Sequence, residues 1–132
     1  MLKRILWLAL LSASSVYANN DVIMVDRVIV DSVKLAFPND EKIQPDLSDF
    51  VVDSVVLMSN EEGERWAVVT VSNQVNGLRT MTQKHLNAVV ANGQRISPSE
   101  FSQVFKANET LSLTVYFGHS KFPLLDVHTR TE

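Results

Sequence analysis

Two Asp-Ser pairs sit in a repeated tetrapeptide, Val30-Asp31-Ser32-Val33 and Val52-Asp53-Ser54-Val55, each followed two residues later by a leucine, Leu35 or Leu57. A hydrolytic pair needs nucleophile and base within hydrogen-bond reach, with a third group orienting the base. On a strand, successive side chains point to opposite faces, so the Asp and Ser of each copy are expected to diverge. The repeat therefore reads as scaffold, two β-branched strands that share a pattern. Past the leucines the likeness fades, except that both runs reach an acidic turn, Asn39-Asp40-Glu41 and Asn60-Glu61-Glu62.

A second set of reactive residues lies near the C-terminus. Asp126 and His128 are two apart, hence on one side of a strand, and His119 follows Phe117-Gly118. Imidazole and carboxylate are zinc ligands, yet no HxxxH spacing is present, His85 lies elsewhere, and residues 127–132 are expected to fray. A triad of Ser120, His119 or His128, and Asp126 lacks both the GxSxG elbow and a glycine-rich oxyanion segment. The reading is a non-enzymatic chain with no catalytic residues, no metal ligands and no cofactor.

The N-terminus sets the compartment. Lys3 and Arg4 precede an apolar run from Ile5 to Leu11, and small residues end in Val16-Tyr17-Ala18. That is the pattern of a cleaved signal peptide, with the cut between Ala18 and Asn19. The run is much shorter than the roughly 20 residues that span a bilayer, so no stable membrane insertion is expected after cleavage. Processing would leave 19–132 as one domain. Losing Lys3 and Arg4 from 12 basic residues, against 15 acidic ones, changes the formal charge from −3 to −5. No basic stripe with interleaved aromatics remains, which argues against nucleic acid. With no cysteine, the domain must rest on its apolar core, and a bacterial periplasmic or secreted protein is expected.

These residues need elements to hold them. Leu111-Ser112-Leu113-Thr114-Val115-Tyr116-Phe117 alternates as a half-buried strand, with Leu111, Leu113, Val115 and Phe117 on the core side. Trp66 to Ser72 is nearly continuous and β-branched, as for a central strand covered on both faces. With the run Phe50 to Met58 and the turn around Gly63, it forms a hairpin. The segment 25–37 reads as a strand, with an amphipathic helix as the alternative. Pro38, Pro45 and the polar residues around Asn39 to Asp49 read as a connection. Leu86 to Ala91 reads as a strand entering a type I′ turn at Asn92-Gly93, against a helix from Thr82 capped by Gly93. Ser97-Pro98-Ser99-Glu100 then opens a loop or helical turn whose Phe101, Val104 and Phe105 plug the core.

Taken in order, WAVVTVSN, LNAVVANGQRISP and FKANETLSLTVYF resemble the bacterial telokin-like domains over about Glu64 to Val127. Those domains usually carry Gly before Glu-Thr in the penultimate turn; here Asn108 takes that place, and Asn tolerates the left-handed conformation. The resemblance implies an all-β, immunoglobulin-like antiparallel β-sandwich serving as a binding or accessory module, with no catalytic constellation to carry over.

Phe117 to Leu125, interrupted by Gly118 and resumed after Pro123, suggests a bulge or a corner where the chain changes sheets. An edge left open there could accept a strand from another chain. Trp66, Tyr116, His119, Lys121 and Phe122 are the candidate partner-binding residues, and the partner expected is an envelope protein. The alternative is a carbohydrate- or peptidoglycan-binding face built on Trp66 and Tyr116.

Overall fold

A computed structural model describes residues 22–30 and 43–132. The expected cut at Ala18–Asn19 and the Asp31-Ser32-Val33 portion of the first tetrapeptide lie outside the described residues, as does the remainder of the 25–37 segment. Nine strands form antiparallel sheets, with no α-helix among the described residues. One sheet has four strands in the order β1 (Met24–Ile29), β2 (Phe50–Ser59), β3 (Glu64–Asn73), β8 (Thr110–His119). A second pairs β4 (Arg79–Thr82) with β7 (Ser102–Phe105), and a third runs β6 (Arg95–Ile96), β5 (Asn87–Val90), β9 (Leu124–His128).

The periodicity explains the core. Along β3, Ala67, Val69 and Val71 are fully buried while Trp66, Val68, Thr70 and Ser72 between them are half-exposed. Their partners Val55 and Leu57 on β2 and Val115 on β8 share the buried face, against which Leu111 and Leu113 also pack. Met81, Ala88, Val90, Phe105, Leu124 and Val127 from the shorter strands, with Leu86 just before β5, complete the same cluster. The expected core face of β8 is thus observed, whereas β3 is covered fully on one face only. Its β-branched residues are explained by central position in the sheet, with the outer row screened by its neighbours.

Several turns follow from single residues. Gly63, at φ +83°, closes the β2–β3 hairpin, and Asn108 takes φ +56° before β8. The Asn92-Gly93 hairpin joins β5 to β6 differently from the expected type I′ turn. Only Gly93 has positive φ, Gly93 N donates to Val90 O (2.8 Å), and Val90 N donates to Gln94 O (2.8 Å). This is a longer loop with its left-handed residue last, and it needs one glycine instead of two left-handed positions. The strand reading of 82–91 holds for β5, preceded by a 3-10 turn at Gln83–His85.

Three expectations are corrected. Residues 102–105 form a strand against β4, in which Phe105 enters the core but Val104 is 49 % exposed and plugs nothing. The C-terminal segment is fastened: Thr129 Oγ1 donates to Phe50 O (2.7 Å) and Ser48 N to Arg130 O (2.9 Å). In the second tetrapeptide, Val52 pairs with Val71 but Ser54 with Thr70, so Asp53 is the extra residue of a bulge. The bulge turns Asp53 and Ser54 to the same, outer face, where Asp53 Oδ2 accepts from Ser72 Oγ of the next strand.

Candidate binding surface

The ladder registers arrange the outer face of the four-stranded sheet in rows. Val25, Met58, Trp66 and Tyr116 stand in line across all four strands, and Val28, Val56, Val68 and Thr114 form the next line. Below them come Ser54, Thr70 and Ser112, then Val51, Ser72 and Thr110. Hydroxyls bridge the lower rows, Thr70 to Ser112 at 2.9 Å and Ser72 to Thr110 at 2.8 Å. One face therefore grades from apolar to hydroxyl-covered. The apolar end is least covered at β1, where Val25 is 61 % and Val28 56 % exposed.

At the end of the first row, the Trp66 and Tyr116 rings pack with centroids 5.3 Å apart and planes inclined by 39°. That tilt departs from a single flat platform. Tyr116 Oη donates to Glu64 Oε1 (3.3 Å), His119 Nε2 lies 3.6 Å from the same oxygen, and Asn60 Nδ2 donates to Glu64 Oε2 (2.8 Å). Partial desolvation, and then the Glu64 carboxylate, raise the Tyr116 phenol above its ordinary value. Glu62, Glu64 and His119 bring ligand atoms within 4.8 Å of one another. Both Glu64 oxygens already have protein neighbours, and the cluster is largely exposed.

The structure thus brings together three of the five expected residues: Trp66 packs on Tyr116, and Tyr116 and His119 meet at Glu64. Phe122 (42 % exposed) and the exposed Lys121 occupy the turn between β8 and β9, shaped by Ser120, whose Oγ donates to Phe122 O (2.8 Å) and accepts from Phe122 N (3.2 Å). Gly118, at φ +79°, pairs with Arg65 while Tyr116 pairs with Trp66, so Phe117 is the extra residue of a bulge. From there the chain crosses from the four-stranded sheet to the three-stranded one, so both the bulge and the corner expected of this stretch are present.

Asp126 and His128 line a different place, a cleft of about 210 Å³ between the end of β1, the Val51–Val55 stretch of β2, and β9. His128 Nε2 lies 2.8 Å from Arg95 Nη1. Burial raises the Asp126 carboxyl above its ordinary value, against the opposing pull of the Val127 amide, Arg27 and Arg95. Asp53 borders this cleft, but its carboxylate is held by Ser72 on the outer face.

Sequence reasoning missed Val25, Val28, Val56 and Met58 as surface residues. Their β-branched or apolar character is the signal for a strand; pairing with β3 turns Val56 and Met58 outward, and the bulge at Asp26 puts Val25 on the same face as Val28. No family model, no curated protein and no solved structure matches the chain.

Proposed function

We propose that the chain is exported, cut after Ala18, and serves as a non-enzymatic binding or assembly module on an immunoglobulin-like β-sandwich. It recognises an envelope protein through the edge strand β1 and the apolar rows beside it, with Trp66 and Tyr116 at the far end of the first row. The observation carrying this reading is that β1 is exposed throughout except at Ile29, although four of its six residues are apolar. Apolar side chains gathered at a strand edge mark a place where another chain can add to the sheet. The carbohydrate alternative draws on the same Trp66–Tyr116 pair, whose tilt supports it less well.

A photo-crosslinking residue at Val28, compared in living cells with one at Thr110 in the hydroxyl row, tests the reading. A discrete protein adduct from Val28 and none from Thr110 is expected. No adduct from Val28, together with sedimentation of the protein on purified peptidoglycan that Trp66→Ala abolishes, would favour the alternative.

A further inference from the structure

The β1 edge has a property that an edge for arbitrary strands would not need. Among the described residues, no strand pairs with its outer side. Written antiparallel to itself about the Asp26–Arg27 midpoint, the strand opposes Asp26 to Arg27, Val25 to Val28, Met24 to Ile29 and Ile23 to Val30. Every opposed pair is either apolar on apolar or acid on base. Opposed residues of antiparallel strands are the unit of sheet stabilisation, and opposite charges there attract while like charges repel.

The bulge makes that register geometrically sound. In an unbulged strand Val25 and Val28 would face opposite sides, and a two-fold pairing that opposed them would set one copy's outer face beside the other's core face. Here Val25 lies across from Met58 and Val28 across from Val56, both on the outer face. Arg27 lies across from buried Leu57, and Asp26 Oδ1 accepts from Ser59 Oγ (2.7 Å), so the two charges share the core side. Outer therefore meets outer, and the first apolar row of one copy would run on into the second row of the other. A bulge normally deters edge pairing. In this strand it selects a partner with the same bulge, and the charges would repel a strand that set acid against Asp26 or base against Arg27.

We propose that β1 pairs antiparallel with β1 of a second copy of this chain, in the register that sets Asp26 against Arg27 of that copy, joining two four-stranded sheets into one. This rests on the reading of β1 as a recognition edge and names its occupant.

Sedimentation velocity on the protein, purified as the cell processes it, should show a reversible dimer below about 100 µM. Asp26→Arg and Arg27→Asp should each weaken it by at least about tenfold, since each opposes like charges twice across the two-fold. Asp26 also holds Ser59 and approaches Arg65 at 3.7 Å, so melting curves accompany each variant. The decisive measurement is an equimolar mixture of the two variants, in which opposite charges meet again and the dimer should return as a heterodimer. A monomeric parent at that concentration, a dimer indifferent to both reversals, or a mixture no better than its components would each overturn the proposal. Crosslinking at Val28 separates the two levels: an adduct to a second copy supports self-pairing, an adduct to a different protein from a monomeric parent overturns self-pairing alone, and no adduct removes both readings.

Discussion

At the β8 edge of the four-stranded sheet, the Tyr116 carbonyl accepts a hydrogen bond from Ser99 N (2.7 Å), and Thr110, Ser112 and Thr114 line the outer face. At the β1 edge no described strand supplies such cover, and the outer face carries Val25 and Val28. The fastenings differ too. The end of β8 is tied through its backbone, with Ser120 N donating to Gly63 O (2.9 Å) and the Arg65 guanidinium donating through Nε to Ser120 O (3.2 Å). β1 is held partly by charge, through Asp26 with Arg65 and through the attraction between Arg27 and Asp126. Among the described residues, the two edges of this sheet are therefore unequally covered.

The sharpest test of that asymmetry uses two valines. Val69, completely buried on the core face of β3, should not tolerate aspartate: Val69→Asp should cost several kcal/mol, enough to threaten a domain whose whole stability is of that order, and leave no cooperative melt. Val28→Asp on β1 should change the melting free energy of dilute protein by no more than about 0.5 kcal/mol. Equal losses in the two variants would mean that β1 belongs to the core and is no open edge.

A smaller effect is expected where β8 turns. A Cβ at Gly118 would meet nothing within 4 Å, so Gly118→Ala should cost only the strain of φ +79°, about 1–2 kcal/mol by denaturant titration. Gly118→Asn should cost less, because Asn adopts that conformation more readily. Identical losses would point to a role for the glycine beyond its backbone angle.

The smallest effect concerns Asp126, where burial outweighs the attraction to Arg27 and Arg95. Burial raises the Asp126 carboxyl above its ordinary 3.8, so the folded state holds this proton more tightly than the unfolded chain does. Its contribution is fully present below the unfolded value and is lost as pH rises through the folded one. Asp126→Asn should therefore gain stability relative to the parent as pH rises across that window, and the two should differ least in slope below it. A constant difference across the pH series would show that Asp126 ionises as freely in the fold as outside it.

Much of the fold was legible in the sequence, and the reason is local. Leu111 to Phe117 alternates cleanly, Gly63, Gly118 and Asn108 sit where left-handed backbone is required, and the β2–β3 hairpin is bounded by its own turn. What could not be read depends on partners distant in the chain. Val52-Asp53-Ser54-Val55 looks the same with or without a bulge, yet the bulge decides that Asp53 and Ser54 share a face. Ser102–Phe105 is too short to show a period and becomes a strand because Arg79–Thr82 lies beside it. The candidate surface was half legible: the aromatic end was found by residue type, while the valines of β1 and β2 were indistinguishable from core until the registers placed them.

The pairing of β3 with β8 has a consequence in time. The β2–β3 hairpin can close at once around Gly63, but β3 must wait for a strand that begins 37 positions after its own end before its other side is satisfied. Loop-closure entropy is lost before those contacts repay it, which makes such topologies slow to fold. During that interval Val55, Leu57, Val69 and Val71 stand on an uncovered hairpin face. How long the nascent chain stays adhesive is thus governed by the order in which its strands occur.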